Sequence, residues 1–367
     1  MRPRSKIHRR FSRLAGGEEF VGVILLSKAS FMNPSGSVAK SETTGTLAAR
    51  AVLIAGCGYV GQRAAQLWAA DGIRTFAVTR ATARAEHFQA QGIQPLVFDL
   101  AAANSWPDLP DADVVLWSVG FDRSPGSNRQ ATWVDGLQRL LAALPARKNP
   151  RRILYTSSTG VYGDGAGQDV DEFTPVNPNT EGGAACVAAE EILHGHAKQT
   201  GNEVVILRLA GIYGPDRLLR RVDELRKGTP LTTEPEDWLN LIHVDDAVRM
   251  INWCGRPESW SVLNSLKARF ADLRPVESQS SVVTINVVSS HSVTRRMYYS
   301  ELARQTAAPE PVFGSSPDAT TVSGSHRGRS GNRRVVSRLR ESLPVNFQFD
   351  DFSKGLADAV TRSHWPS

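Results

Sequence analysis

The sequence predicts an α/β fold built on a doubly wound parallel sheet, and three observations carry that prediction. Short apolar runs alternate with stretches of helical period, a glycine turn joins the first run to the first such stretch, and small or hydroxyl residues gather where several runs end. With 367 residues the chain is long enough for two domains or one large α/β domain with a well-buried core.

The apolar run 51–55 leads into Gly56-Cys57-Gly58-Tyr59-Val60-Gly61, and the residues after it repeat apolar positions at helical spacing. G-x-G-x-x-G between a strand and a helix is the arrangement of a Rossmann-type dinucleotide site. Gly56 permits the tight turn, Gly58 lets the backbone approach a pyrophosphate, and Gly61 lets the helix pack on the strand. The diphosphate, beside Tyr59 and Val60, would face the free N–H groups and positive dipole end of that helix.

Residues 73–80 read as the second strand. An acidic residue at its end would take the adenosine ribose hydroxyl, whereas Arg80, with Arg84 one turn on, suits a 2'-phosphate through a bidentate guanidinium fork. NADP is therefore expected; if both arginines are simply solvated, NAD is the alternative. Residues 93–99 form a third strand ending in Asp99, whose carboxylate can reach the adenine amino group. Residues 114–120 form a fourth, with Ser118 and Val119 at the cofactor end. A helix over 130–144 and a strand that runs into hydroxyl residues by 164 continue the alternation, which implies right-handed crossovers. Ligands of such sheets bind beyond the carboxyl ends of the strands.

Composition narrows the function classes. The first 50 residues hold nine Lys or Arg against three Glu, so the formal net charge of +6 lies entirely there and the rest is neutral. A basic excess confined to an N-terminal arm does not point to nucleic-acid binding by the folded part. Three scattered cysteines exclude a disulfide framework and a zinc site, and fit a cytoplasmic protein. Cys57 is either a small residue filling the glycine turn or a reactive thiol. In the arm, the apolar run 20–26 is too short to span a bilayer, is approached through Glu18 and Glu19, and precedes no clear cleavage site. Residues 1–49 are expected to be a disordered extension with no targeting or membrane role, and Met32 is a candidate start.

Four ordered motifs then make a resemblance specific: GCGYVG at 56–61, SSTGVYGD at 157–164, LRLAGIYGP at 207–215 and NLIHVDDAV at 240–248. From about Ala51 the sequence resembles the extended short-chain dehydrogenase/reductase superfamily, the NAD-dependent epimerase/dehydratase group. The resemblance implies a seven-stranded cofactor domain with a smaller C-terminal substrate subdomain. It also implies that the hydroxyl at Ser158 polarises the substrate while a Tyr-x-x-x-Lys pair on the next helix moves the proton. Four residues put Tyr and Lys on one helical face, where the ammonium lowers the phenol pKa. Aligned on Glu190, this chain has Gly182 in place of the Tyr and Cys186 in place of the Lys, so it resembles an atypical member of the superfamily.

The remaining candidates stay open. Ser158 either donates to a substrate carbonyl or satisfies the strand end, and Tyr162 either presents its phenol to the cleft or packs the turn. Glu181 and Glu190 either act as acid or base or complement the helix dipole, His194 and His196 fit solvent, and Asp245 or Asp246 is expected to cap a helix over 247–253 after a structural His243. On the substrate side, 218–227 reads as a charged helix, 256–280 as a poorly patterned insertion, 282–288 as a strand and 293–303 as a helix capped by Thr294. The Ser/Gly/Pro-rich run 314–331 reads as a mobile loop. The basic cluster of Arg327, Arg329, Arg333 and Arg334 at its end is either solvated or clamps an anionic substrate such as a nucleotide sugar.

The expected organisation is an arm over 1–49, an NAD(P)-binding domain over 50–255 with 213–239 contributing to the substrate side, and a substrate subdomain over 256–367. The expected function is an NAD(P)-binding oxidoreductase-like protein of the epimerase/dehydratase type, acting on a small carbonyl or sugar-like compound. The alternative is a non-catalytic dinucleotide sensor. A small-molecule substrate is the expected partner, with no metal, nucleic acid or membrane; no oligomeric state is implied.

Overall fold

The computed structural model describes residues 50–102, 106–121, 128–217, 219, 221–273, 281–314 and 332–364. The arm 1–49, the loop beyond Gly314 and both Arg327 and Arg329 lie outside them.

Seven parallel strands form the central sheet: β1 (Ala51–Ala55), β2 (Arg74–Thr79), β3 (Gln94–Val97), β4 (Val114–Trp117), β5 (Arg152–Ser158), β6 (Glu203–Leu209) and β7 (Val282–Val287). Their order across the sheet is 3-2-1-4-5-6-7. Chain direction therefore reverses its sideways progress between β1 and β4, and a crevice opens above the carboxyl ends of those two strands. The strands read as continuous apolar runs because both faces are covered. Val52 and Ile54 belong to one core with Trp68 of helix α1 (Gly61–Ala70) and Phe88 of α2 (Thr82–Ala90). Leu53 belongs to the other, with Leu137 of α3 (Gly136–Ala143) and Leu193 of α4 (Glu181–Thr200). The period-two alternation along β1 thus divides its side chains between two layers of helix.

α4 is bounded by its own chemistry. The Thr180 hydroxyl accepts from the Gly183 N–H at 3.0 Å, and Gly201 ends the helix at φ +71°. A third, smaller core unites Val222 and Leu225 of α5 (Val222–Arg226), Tyr298 and Leu302 of α8 (Arg295–Gln305), and Leu356 and Ala359 of α9 (Phe352–Arg362). Thr294 caps α8 as expected.

Four expectations change. The stretch 256–280 contains a helix, α7 (Ser259–Arg269), held by Leu263 and Leu266 in the first core. The helix after β6 spans only Val222–Arg226. Preceding α7 is α6 (Val244–Cys254), which is capped by neither aspartate: His243 Nδ1 accepts from the Asp245 N–H. Asp246 instead reaches across the chain, accepting from the backbone N–H of Gln348 and Phe349 at 2.7 and 2.8 Å. Asp245 and Asp358 approach His243, and the Arg362 guanidinium lies 2.8 and 2.9 Å from those two carboxylates, tying α9 to α6. The strand β7 lies beyond the boundary drawn at 255 and completes the central sheet against β6. Among the described residues no helix is long and apolar enough to cross a membrane.

Candidate functional site

The glycine turn sits at the reversal point of the sheet. Gly56 leaves β1 at φ +92°, and a Cβ there would stand 2.5 Å from the Ser118 carbonyl oxygen at the end of β4. A Cβ on Gly61 would stand 2.1 Å from the Gly56 carbonyl oxygen, so turn and helix meet through that residue. At Gly58 the added atom would meet nothing within 4 Å. Two of the glycines are thus required by protein packing, and the third leaves its backbone open to the crevice. α1 begins with no side-chain cap and no acidic residue in its first turn, as do α2, α3 and α7, and what sets α1 apart is the open Gly58 before it. An uncapped helix start beside an open glycine is a cradle that an anionic diphosphate fits.

Two cavities meet at Gly58. One, of about 840 Å³, is lined by Gly56, Arg80, Arg84 and Asp99. The other, of about 600 Å³, is lined by Tyr59, Val60, Ser118, Ser158, Gly182 and Cys186. Val119 borders both. Every residue assigned to the cofactor from sequence lines one of these spaces, except Gly61, whose place is in the packing. Arg84 folds back over the turn, donating to the Cys57 carbonyl and, at 3.0 Å, to Gln62 Oε1. Asp99 Oδ1 accepts from the Ala101 N–H at 2.9 Å, which fixes its turn.

The candidate chemical groups separate. Ser158 lines the second cavity and its Oγ accepts from the Gly160 N–H at 3.0 Å, a bond that leaves the hydroxyl proton available. Tyr162 does not face either cavity. It is 3 % exposed, accepts from Arg208 at 2.9 Å and donates to Asn286 Oδ1 at 2.7 Å, and burial pushes its phenol up to about 12. It packs the turn, and no proton transfer in the cleft can be assigned to it. Arg208 also grips Glu190 through two bonds of 2.7 and 3.1 Å, and Ser157 donates to the same carboxylate at 2.6 Å. Glu190 is therefore the buried partner of an arginine, beyond any helix-dipole role. Arg333, expected in an exposed basic cluster, is 3 % exposed and donates to the carbonyls of Thr159 and Gly163. Arg334 is bidentate with Asp169 on the surface.

The thiols are quiet. Cys57 is buried and turned to the Ile54 carbonyl, so it fills the turn, and desolvation pushes it up to about 12. Burial likewise pushes Cys186 up to about 11, against hydrogen bonds from Tyr155, Ser157 and the backbone of Ser158. Cys254 stands at about 12 for the same reason. A free thiol near 8.5 is substantially ionised at pH 8, and these are not. Alkylation of the native protein by iodoacetamide at pH 8 is expected to run at least about a hundredfold slower than that of free cysteine, with all three thiols reacting in urea. Rapid native labelling of Cys186 by mass spectrometry would contradict this account of the cavity wall.

Sequence reasoning missed Arg129, Trp133, Tyr155 and Arg217, which also line the second cavity. Arg217 lies two residues beyond the LRLAGIYGP motif, a signal that was present; Trp133 lies in, and Arg129 just before, the stretch 130–144 read only as a helix.

The profile of the NAD dependent epimerase/dehydratase family matches residues 52–257, more than half of the chain. The chain belongs to that family. Protein YeeZ of Escherichia coli K12 is 28 % identical over 246 residues, covering 66 % of this chain and 74 % of YeeZ. A functionally unknown conserved protein from Silicibacter pomeroyi superposes with a TM-score of 0.61 at 24 % identity, over 84 % of this chain and 97 % of its own. The UDP-glucuronic acid 4-epimerase of Bacillus cereus, solved with UDP-glucuronic acid and NAD, gives 0.61 at 18 % identity, over 85 % of this chain and 98 % of its own. At those identities the superpositions establish a shared fold. Gly182 and Cys186, the residues that the sequence resemblance aligns with a Tyr-x-x-x-Lys pair, both line the second cavity, with Cys186 5 % exposed.

Proposed function

We propose that this family member binds a nicotinamide dinucleotide across the glycine turn, NADP in preference to NAD, and is an oxidoreductase acting on a small carbonyl or sugar-like compound in the cavity beside Ser158. The observation that supports this most is the contrast among the glycines: Gly56 and Gly61 are closed by protein atoms, while Gly58 opens on both cavities. Arg80 and Arg84, with no carboxylate at the end of β2, suit a 2'-phosphate. When bound, the nicotinamide supplies hydride donation or acceptance. Ser158 then donates its hydroxyl to the substrate oxygen, positioned by the Gly160 N–H. No described lining residue is a base near neutrality, since the Cys186 thiol stands at about 11 and burial raises the Tyr155 phenol well above 10. Proton exchange in this reading runs between Ser158 and solvent. The substrate is a small molecule, and a cytoplasmic setting, with all three cysteines free, belongs to the same proposal.

Quenching of tryptophan fluorescence is expected to give at least about tenfold tighter binding of NADPH than of NADH, the scale of one charge-assisted contact. Arg80→Asp is expected to reverse the order. Equal affinities in the parent protein would refute the NADP preference. The missing Tyr and Lys favour a second reading, a dinucleotide sensor without turnover. NADPH that binds tightly yet is never consumed with a panel of carbonyl compounds and nucleotide sugars would select it.

A further inference from the structure

The second cavity has an unusual charge. Arg129, Arg217 and Arg333 line it, and no Asp, Glu, His or Lys is among the described residues that do. Arg333 is anchored on two backbone carbonyls. Arg217 leans on the Tyr59 ring at 5.0 Å, with Arg63 on the same ring at 4.1 Å, at the glycine-turn end. Burial lowers the pKa of both Arg217 and Arg333, the mark of guanidinium groups partly stripped of water. A cavity with this lining favours an anion.

Arg129 stands at a telling place. A Cβ built on Gly182 would have Arg129 Nε at 3.7 Å and the Trp133 ring at 3.8 Å. The adjacent Gly183 presses on the Ser158 turn, since its added Cβ would lie 2.6 Å from the Gly160 carbonyl oxygen. Arg129 thus stands over Gly182, the residue aligned with the tyrosine of the family pattern, and lines the same cavity as Ser158. Glu181 engages Arg129 Nη1 at 2.9 Å from a position that is 88 % exposed, and the guanidinium stacks on Phe121 at 3.9 Å. Those contacts fix the plane of the fork while a solvent-exposed carboxylate neutralises little of its charge.

We propose that Arg129 is the substrate-anchoring residue of this cavity and that the substrate is a 2-oxo or 2-hydroxy acid. Its carboxylate pairs with Arg129 while the neighbouring carbonyl or hydroxyl oxygen meets Ser158. The lining selects this class: a cavity of about 600 Å³ with three guanidinium groups, no carboxylate and the Ser158 hydroxyl suits a small acid that carries its carboxylate beside its carbonyl or hydroxyl carbon. The proposal rests on the reading of the cavity as the substrate end of a dinucleotide site, but the role of Arg129 is measurable without the dinucleotide.

The test is calorimetric titration of the full chain, with and without NADP, using pyruvate, 2-oxobutyrate and 2-oxoglutarate as probes. Pyruvamide serves as the neutral isostere and inorganic phosphate as the competing anion. At least one 2-oxo acid is expected to bind tenfold or more tighter than pyruvamide. Arg129→Met is expected to remove that margin, Arg129→Lys to restore part of it, and dinucleotide affinity to stay within about twofold of the parent in both; Arg129→Gln replaces the Met variant should the latter not fold. Pyruvamide bound as well as pyruvate, no binding by any 2-oxo acid, phosphate alone being captured, or a neutral Arg129 variant within threefold of the parent would each overturn the proposal. Failure of NADP itself to bind would strike the earlier reading instead, and the dinucleotide-free titrations would still decide Arg129.

Discussion

Gly61→Ala is expected to abolish dinucleotide binding and to destabilise the fold, whereas Gly58→Ala is expected to abolish only the binding. An alanine at 61 would bring its methyl to 2.1 Å of the Gly56 carbonyl oxygen, so the turn and α1 must separate. Overpacking of that kind costs about 1–3 kcal/mol, and here the opposing atom is backbone that cannot rotate away. At 58 the methyl meets no protein atom within 4 Å, and the backbone is outside the left-handed region, so stability should change by less than about 1 kcal/mol. The methyl would nevertheless stand in the space where both cavities join, and affinity for NADPH should fall at least about tenfold. Urea unfolding and fluorescence titration of the two variants separate the effects. A Gly58→Ala protein that binds as the parent does would remove the diphosphate from this turn.

The largest loss of stability is expected from Arg208→Met. Its guanidinium joins β6 to Glu190 of α4 and to Tyr162, which in turn bonds Asn286 of β7, while Ser157 of β5 donates to the same Glu190. The two charged side chains are 4 % and 6 % exposed. Removing one partner strands the other charge without water, at a cost of about 3–5 kcal/mol. For a domain of this size that corresponds to a fall in Tm of about 10 °C. Removing both partners, as Arg208→Met with Glu190→Met, should cost less than the single change, because no charge is left stranded. Thermal unfolding of the three proteins measures the cycle, and a single-variant loss below about 1 kcal/mol would show that water reaches this network.

Much of the fold was legible because its signals are local. Each β-strand of the sheet is a short apolar run, and the glycine turn announces itself within six residues. Of the residues proposed to meet the cofactor, Arg80 and Ser118 follow directly on strands and Asp99 lies two residues beyond one, and strand ends are where such sheets place ligands. What escaped depends on partners far along the chain. Tyr162 looked free to face the cleft because Arg208 and Asn286, which bury it, are 46 and 124 residues away. Arg129 carried no mark at all, since its position acquires meaning only when α4 brings Gly182 beneath it. α7 was hidden by weak periodicity: Leu263 and Leu266 face the core, but the rest of that helix shows no sustained apolar stripe. His243 took the cap from two better-suited aspartates because Asp246 is committed to the backbone of residues 348 and 349.

The seventh strand has a bearing on how the protein is made. Residues 282–287 close the sheet beside 203–209, so a ribosome must release nearly 290 residues before the hydrogen-bonding edge of β6 is covered. A fragment cut at the end of the family match, near 257, would leave that apolar edge bare, and such edges recruit other chains. Expression of the glycine-turn half by itself should yield aggregates, because the strand that covers this edge is the last of the sheet to be made.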